Sequence, residues 1–110
     1  MRIFIKMNFL GNFLLISQSM IRLIDITKDT YTNKSGYSLF LVLEPYLKDN
    51  KQVVLSFENA SPTSSSFLNS SFGSLINEFG LNTFKSLVKP VKLPNYQVKI
   101  LNKYISTFNS

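Results

Sequence analysis

Four consecutive hydroxyl side chains, Thr63, Ser64, Ser65 and Ser66, follow closely on the apolar run Val53 to Phe57. They belong to the stretch "ASPTSSSFLNSSFGSL", residues 60–75, in which seven of sixteen positions are serine. A strand, a short Ser/Thr loop and a helix start together make a place where an anion can be held, because the unpaired amides of the first helical turn and the positive end of the helix dipole both point there. Two uses of the hydroxyls are open. One of them can cap the helix, since Ser and Thr are favoured N-caps. The remainder exceed what capping needs and could serve as an anion-binding or phosphorylation site, where phosphate adds charge and strong acceptors.

Other chemistry is narrowed by what the chain lacks. It has no cysteine and no histidine, which excludes zinc sites of the usual kind, Cys or His nucleophiles and disulfide frameworks. The acids are six scattered carboxylates: Asp25, Asp29, Glu44, Asp49, Glu58 and Glu78. A Ser–Lys pair is chemically possible, but no spacing supports one, so a non-enzyme with no metal and no cofactor is expected. The formal charge is +6, which favours an anionic partner or surface. Lys85, Lys89, Lys92, Lys99 and Lys103 enrich the C-terminal third without forming a run, and arginine is scarce, so a solvated basic face competes with a nucleic-acid site. Tyr31, Tyr37 and Tyr96, near Lys28, Lys34 and Lys92, could provide stacking and phosphate contacts, or could simply pack.

Stepping outward, the elements that must position the serines alternate between strand and helix. "IRLIDI", residues 21–26, reads as a strand, and "TKDTYTNKSG" as a polar loop. The spacing of Leu39, Val42 or Leu43, Tyr46 and Leu47 predicts a helix from about Ser35 to Lys48, with Pro45 kinking it or ending it early. "VVLSF", residues 53–57, is β-branched and apolar, as a central strand covered on both faces would be. Phe67, Leu68, Phe72, Leu75, Ile76 and Phe79 form one helical stripe closed by Gly80. The serine stretch therefore opens an amphipathic helix, and its small residues between bulky ones would let that helix lie close to a sheet. Residues 84–94 alternate and contain Pro90, which predicts an edge or irregular strand. Val98, Leu101, Tyr104 or Ile105 and Phe108 predict a last helix with Asn95 as N-cap. The order argues for one small α/β domain over residues 20–110, with a partly parallel sheet of about four strands and helices packed on it.

Residues 1–19 read differently. The apolar stretch Phe9 to Ile16 is too short to span a bilayer and is broken by Gly11 and Asn12. The segment is expected to be an extra strand or hairpin, or an extension from an upstream start, since Met7 and Met20 are alternative initiators. A poor signal peptide is the weaker reading. With no membrane span and no cysteine, a cytoplasmic location is expected.

The run "VVLSFENASPTSSSFLNSSFGSLINEFG" resembles the STAS-like domains of unknown function found in bacteria and their mobile elements. The matching elements are Val53 to Phe57 with Glu58, then Ser65, Ser66 and Phe67, and Gly73 six residues on, with Ser35 and Gly36 ahead of the first helix. That family is similar in turn to the STAS domains of anti-sigma-factor antagonists, small α/β regulators that dock on a histidine-kinase-like ATPase. Against their Asp-Ser-Ser-Gly motif, Ser64 stands for the aspartate, Ser65 for the phosphorylated serine, Ser66 for the next serine and Phe67 for the glycine. The resemblance implies a non-enzymatic regulatory module that docks on a protein through Thr63, Ser64, Ser65 and Ser66. It makes Ser65 the candidate phospho-acceptor and Gly73 a close-packing position. The competing expectation is a nucleic-acid-binding or phage-conflict accessory protein.

Overall fold

The computed structural model describes residues 19–108. Its elements are strand β1 (Ser19–Arg22), a helical turn α1 (Leu23–Ile26), helix α2 (Asn33–Lys48), strand β2 (Val53–Ser56), helix α3 (Ser65–Leu68), a π-helical segment (Asn69–Gly73), helix α4 (Ser74–Phe79), helix α5 (Leu81–Leu87), strand β3 (Val88–Val91) and helix α6 (Asn95–Ser106). The three strands form one sheet, parallel throughout, with β2 in the middle. The protein is thus a small α/β domain, with three strands among the described residues where about four were expected. Of residues 1–19, expected to supply an extra strand or hairpin, Ser19 opens β1 and the rest lie outside the described part.

Register decides which side chains share a face of the sheet. Ile21, Leu55 and Pro90 stand abreast, as do Val53 and Val88. This face meets the helices, and Val53, Leu55 and Leu23 are fully buried with Leu39 and Leu43 of α2. The opposite face carries Met20, Val54 and Lys89 abreast. There Met20 of β1 is 58% exposed, Val54 is half-buried and Ser56 is fully buried, so the expected cover on both faces of β2 is complete at Ser56 and partial at Val54. An apolar run fits one buried face and one partly open face as well as two buried ones.

Other corrections follow from tertiary context overriding local pattern. The strand read over 21–26 ends at Arg22, and Leu23–Ile26 form a helical turn closed by the Thr27 amide donating to the Leu23 carbonyl at 3.2 Å. That turn drops Leu23 into the core while its isoleucine-rich sequence favours a strand on propensity alone. Helix α2 runs through Pro45 to Lys48 with no early stop. Proline cannot donate back to the carbonyl of Leu41, and Leu41 is half exposed, where water can take that role. The strand expected over 84–94 is confined to Val88–Val91, an edge strand as its proline required. Before it stands an unforeseen helix, α5, which buries Phe84 and Leu87 three residues apart. Gly80, at φ 90, does end α4, and the next helix begins one residue later. Helix α6 starts at Asn95, but Pro94 holds the capping position and no side chain caps it.

The serine-led helix is interrupted in its middle. Between α3 and α4 the chain takes a π-helical segment, Asn69–Gly73, one residue wider per turn than an α-helix. The sequence signal is the interval of five from Phe67 to Phe72, both buried. Serine hydroxyls accompany the widening: Ser71 donates to the Phe67 carbonyl at 2.8 Å and Ser74 to the Asn69 carbonyl, five residues back, at 3.3 Å. Two glycines set how closely neighbours approach. A Cβ on Gly36, in the first turn of α2, would collide with the backbone oxygen of Phe67 in α3. One on Gly73 would come within 2.5 Å of the Tyr104 hydroxyl of α6.

Candidate functional site

In a parallel sheet the strands all deliver their following loops to one edge, the usual place for a site. Here that edge collects residues 27–32 after α1, residues 57–64 after β2 and the turn between β3 and α6. The loop after β2 is tied at both ends. The Phe57 amide donates to the Val91 carbonyl at 3.0 Å, and the Ala60 amide closes a turn onto Phe57 in which Asn59 takes φ 61. The Thr30 hydroxyl donates to the Pro62 carbonyl at 2.9 Å, and the Ser64 amide donates to the Thr30 carbonyl at 3.0 Å. The two loops thus form one bonded unit.

Within that unit the four consecutive hydroxyls divide into two pairs. Thr63 is buried, and Gln97 of α6 clasps it: the Thr63 amide donates to Oε1 at 3.2 Å and Nε2 donates to the Thr63 hydroxyl at 2.8 Å. Gln97 itself is 1% exposed. Ser64 is the N-cap of α3, accepting from the Phe67 amide at 3.1 Å while donating to the Tyr31 carbonyl at 2.8 Å. Ser65 and Ser66, by contrast, are exposed in the first turn of α3. The hydroxyl run therefore contains both uses that the sequence leaves open: two side chains build the loop and two face outward.

The surroundings of Ser65 come from other elements. It borders a shallow hollow of about 400 Å³ with Thr63 and Ser64 on one side and Ile100, Lys103, Tyr104 and Thr107 of α6 and its end on the other. Tyr104 donates to Asn69 Oδ1 at 2.9 Å, and burial pushes its phenol up from the ordinary value. Lys103 is exposed and carries the cationic charge of this hollow. Gly73, on the π-helical segment, lies against the same Tyr104.

The other wall of the edge is equally ordered. Asp29 accepts from the amides of Tyr31 and Thr32 at 3.0 and 2.9 Å and from the Thr32 hydroxyl at 2.9 Å. Those bonds, the Tyr31 amide foremost, hold its carboxyl below the usual range. Thr32 in turn caps α2 by accepting from the Ser35 amide at 3.1 Å. Across the helices, Ser70 donates to Asn33 Oδ1 at 3.0 Å. The result is an ordered surface on which Tyr31 (64% exposed) and Tyr96 (45%) stand beside the serine loop, tied to it through the Tyr31 carbonyl and the Tyr96 hydroxyl, while Tyr37 (55%) is exposed on α2 and stacks on Phe40.

The sequence pattern gives Lys103 to a basic face and Tyr104 to a helix stripe, and it places neither of them, nor Gln97 or Thr30, at the serine loop. Gln97 carried a readable signal, since it lies in phase with Leu101 and Tyr104 on the inner stripe of α6, where a polar residue needs a partner. Among the described residues no cluster of three His, Cys, Asp or Glu could hold a metal ion, and no helix is long and apolar enough to cross a membrane.

No curated protein and no solved structure is significantly similar to the chain. The loop geometry does have the place in the fold that the resemblance gives it, with strand, serine loop and glycine-bearing helix in sequence. A family model described as a STAS-like domain of unknown function (DUF4325) matches residues 35–97, which is more than half of the chain and includes the whole serine loop, and the protein belongs to that family.

Proposed function

We propose that the protein is a non-enzymatic regulatory module that docks on a protein partner through the Thr63–Ser66 loop and the helix that follows it. The observation that carries this reading is the division of the hydroxyls. Thr63 and Ser64 hold the loop in place, and Ser65 and Ser66 are displayed on it, with the exposed Tyr31 and Tyr96 bonded to the same loop. A preorganised loop loses little entropy on binding, and tyrosine is enriched in the buried centres of interfaces. The family's likeness to anti-sigma-factor antagonists supports a histidine-kinase-like ATPase as the partner class. It also supports phosphorylation of Ser65 as the switch. A phosphate there carries up to about two negative charges. It would gain from the amides of α3 and from Lys103, while repelling or displacing whatever docks on the loop.

Binding of a histidine-kinase-like ATPase, measured by pull-down and titration, tests the reading. Ser65→Asp and Ser65→Tyr are expected to weaken binding while leaving thermal stability nearly unchanged, because the side chain is exposed. Binding unaltered by both substitutions sinks the proposal. The nucleic-acid alternative rests on the exposure of Tyr31, Tyr37 and Tyr96 near Lys28, Lys34 and Lys92. It requires affinity for DNA or RNA that falls as salt rises, and failure to shift either at low ionic strength eliminates it.

A further inference from the structure

On the far side of α6 from the serine loop, α5, β3 and α6 enclose an open groove of about 560 Å³. Phe72, Phe84, Val88 and Leu101 form its floor, all of them buried, with the Phe72 and Phe84 rings 4.9 Å apart and tilted at 60°. Leu93 and Ile105 stand on its walls half-buried, so apolar surface remains open to solvent. Its volume falls within the roughly 300–1,000 Å³ of small-molecule sites, which are mostly apolar with a few placed polar groups. The α6 wall, from Val98 to Ser106, runs for about 12 Å at the α-helical rise.

The charge around this groove has one sign. Among the described residues Lys85 and Lys89 line it and no carboxylate side chain does. The last acidic residue of the chain is Glu78, so α5, β3 and α6 carry only lysines. Lys89 is half-buried, and its Nζ donates to the Lys85 carbonyl at 3.1 Å. That bond fixes the ammonium at the rim and leaves two of its three N–H donors for another acceptor. An apolar trough closed at one rim by a fixed cation suits a molecule that is apolar along its length and anionic at one end.

We infer that this groove binds a single acyl chain ending in an anionic head group, with the chain over Phe72, Phe84 and Leu101 and the head group at Lys85 and Lys89. The site is separate from the docking loop and does not depend on its role. Titration of the full chain with dodecanoate, followed by amide chemical shifts below the micellar concentration, tests it. The expected result is saturable one-to-one binding with shifts centred on residues 84–93 and 98–106, and at least tenfold weaker binding of uncharged dodecanol. Dodecyl phosphate in a parallel titration tells whether carboxylate or phosphate is the preferred head group. Combined Lys85→Glu and Lys89→Glu substitution should raise the dissociation constant tenfold or more without moving the melting temperature by more than a few degrees. Ile105→Asp should abolish binding, with the circular dichroism spectrum as the check on folding.

Four results overturn the inference. They are no binding to the full chain, equal affinity for dodecanol, tighter binding of an acidic amphipathic peptide than of dodecanoate, and a dimer in sedimentation that Ile105→Asp dissociates. The last two would hand the groove to a protein partner or to a second copy of the chain.

Discussion

Replacing Gln97 by leucine tests the clasp that shapes the serine loop. The two side chains are close in size, so the change mainly removes hydrogen bonding. Gln97 is 1% exposed, and its carboxamide makes two bonds to Thr63, at 3.2 and 2.8 Å. A net hydrogen bond contributes about 1 kcal/mol, and a buried donor left without a partner costs about 1–3 kcal/mol. The leucine variant loses both bonds and leaves the Thr63 amide and hydroxyl unpaired under α6, so a loss of about 2–4 kcal/mol is expected. Against the roughly 5–15 kcal/mol of a typical domain, that is a large share. It corresponds to a fall in melting temperature of roughly 10–25 °C for a domain of this size. Urea unfolding followed by far-ultraviolet circular dichroism measures it, since the chain has no tryptophan. A double-mutant cycle with Thr63→Val isolates the pair, with an expected coupling of about 1 kcal/mol. Gln97→Glu adds a pH signature. Burial would raise that carboxyl's folded pKa, so the variant should be least penalised at acid pH and lose stability as pH rises through the folded value. A Gln97→Leu cost below about 0.5 kcal/mol, or strict additivity with Thr63→Val, would refute the argument that this clasp sets the loop.

Two further outcomes follow from the packing and the charges. Gly36→Ala places a methyl against the backbone oxygen of Phe67 and 2.9 Å from the Ser70 Cβ, so α2 and α3 must separate. A cost of about 1–3 kcal/mol is expected despite alanine's better helix propensity, and a stabilised variant in the same urea assay contradicts the close approach. Glu78 lies beside Glu44, and that neighbouring carboxyl raises its own above the ordinary value. A raised folded pKa contributes stability at acid pH that is lost as pH rises through the folded value. Glu78→Gln removes the repulsion between the two carboxyls. It should therefore raise the melting temperature at pH 7 and lose that advantage below the carboxylate range, and an equal gain at both pH values discounts the pairing.

The α/β alternation was legible because its signals are local and strong. The apolar run that becomes β2 and the apolar stripe of the serine-led helix each declare their own type. The same locality explains the misses. Leu23 and Ile26 have the composition of a strand, and only the need to turn at the sheet edge makes them helical. Gly80 reads as a stop whether or not another helix follows, so α5 was hidden behind it. At the candidate site, the loop residues could be located from composition, because hydroxyls before a helix have a known use. Which of them are structural depends on Thr30, Tyr31 and Gln97, more than thirty residues away along the chain. No pattern of adjacent residues contains that information.

The π-helical segment bears on the direction in which the serine loop faces. An α-helix advances about 100° per residue, so the extra residue in the widened turn sets the angular phase between α3 and α4. Deleting one residue from Asn69–Gly73 as well as restoring regular winding would leave the bearing of α3 nearly unchanged, whereas winding the segment as regular α-helix with all five residues kept would turn the start of α3 by roughly 100° relative to the core-packed α4. Ser65 and Ser66 would then look elsewhere although no residue of the loop had changed. The bearing of the outward hydroxyls is in this sense a matter of winding: it is set by how the turns between them and Leu75 and Ile76 are wound as well as by what those residues are.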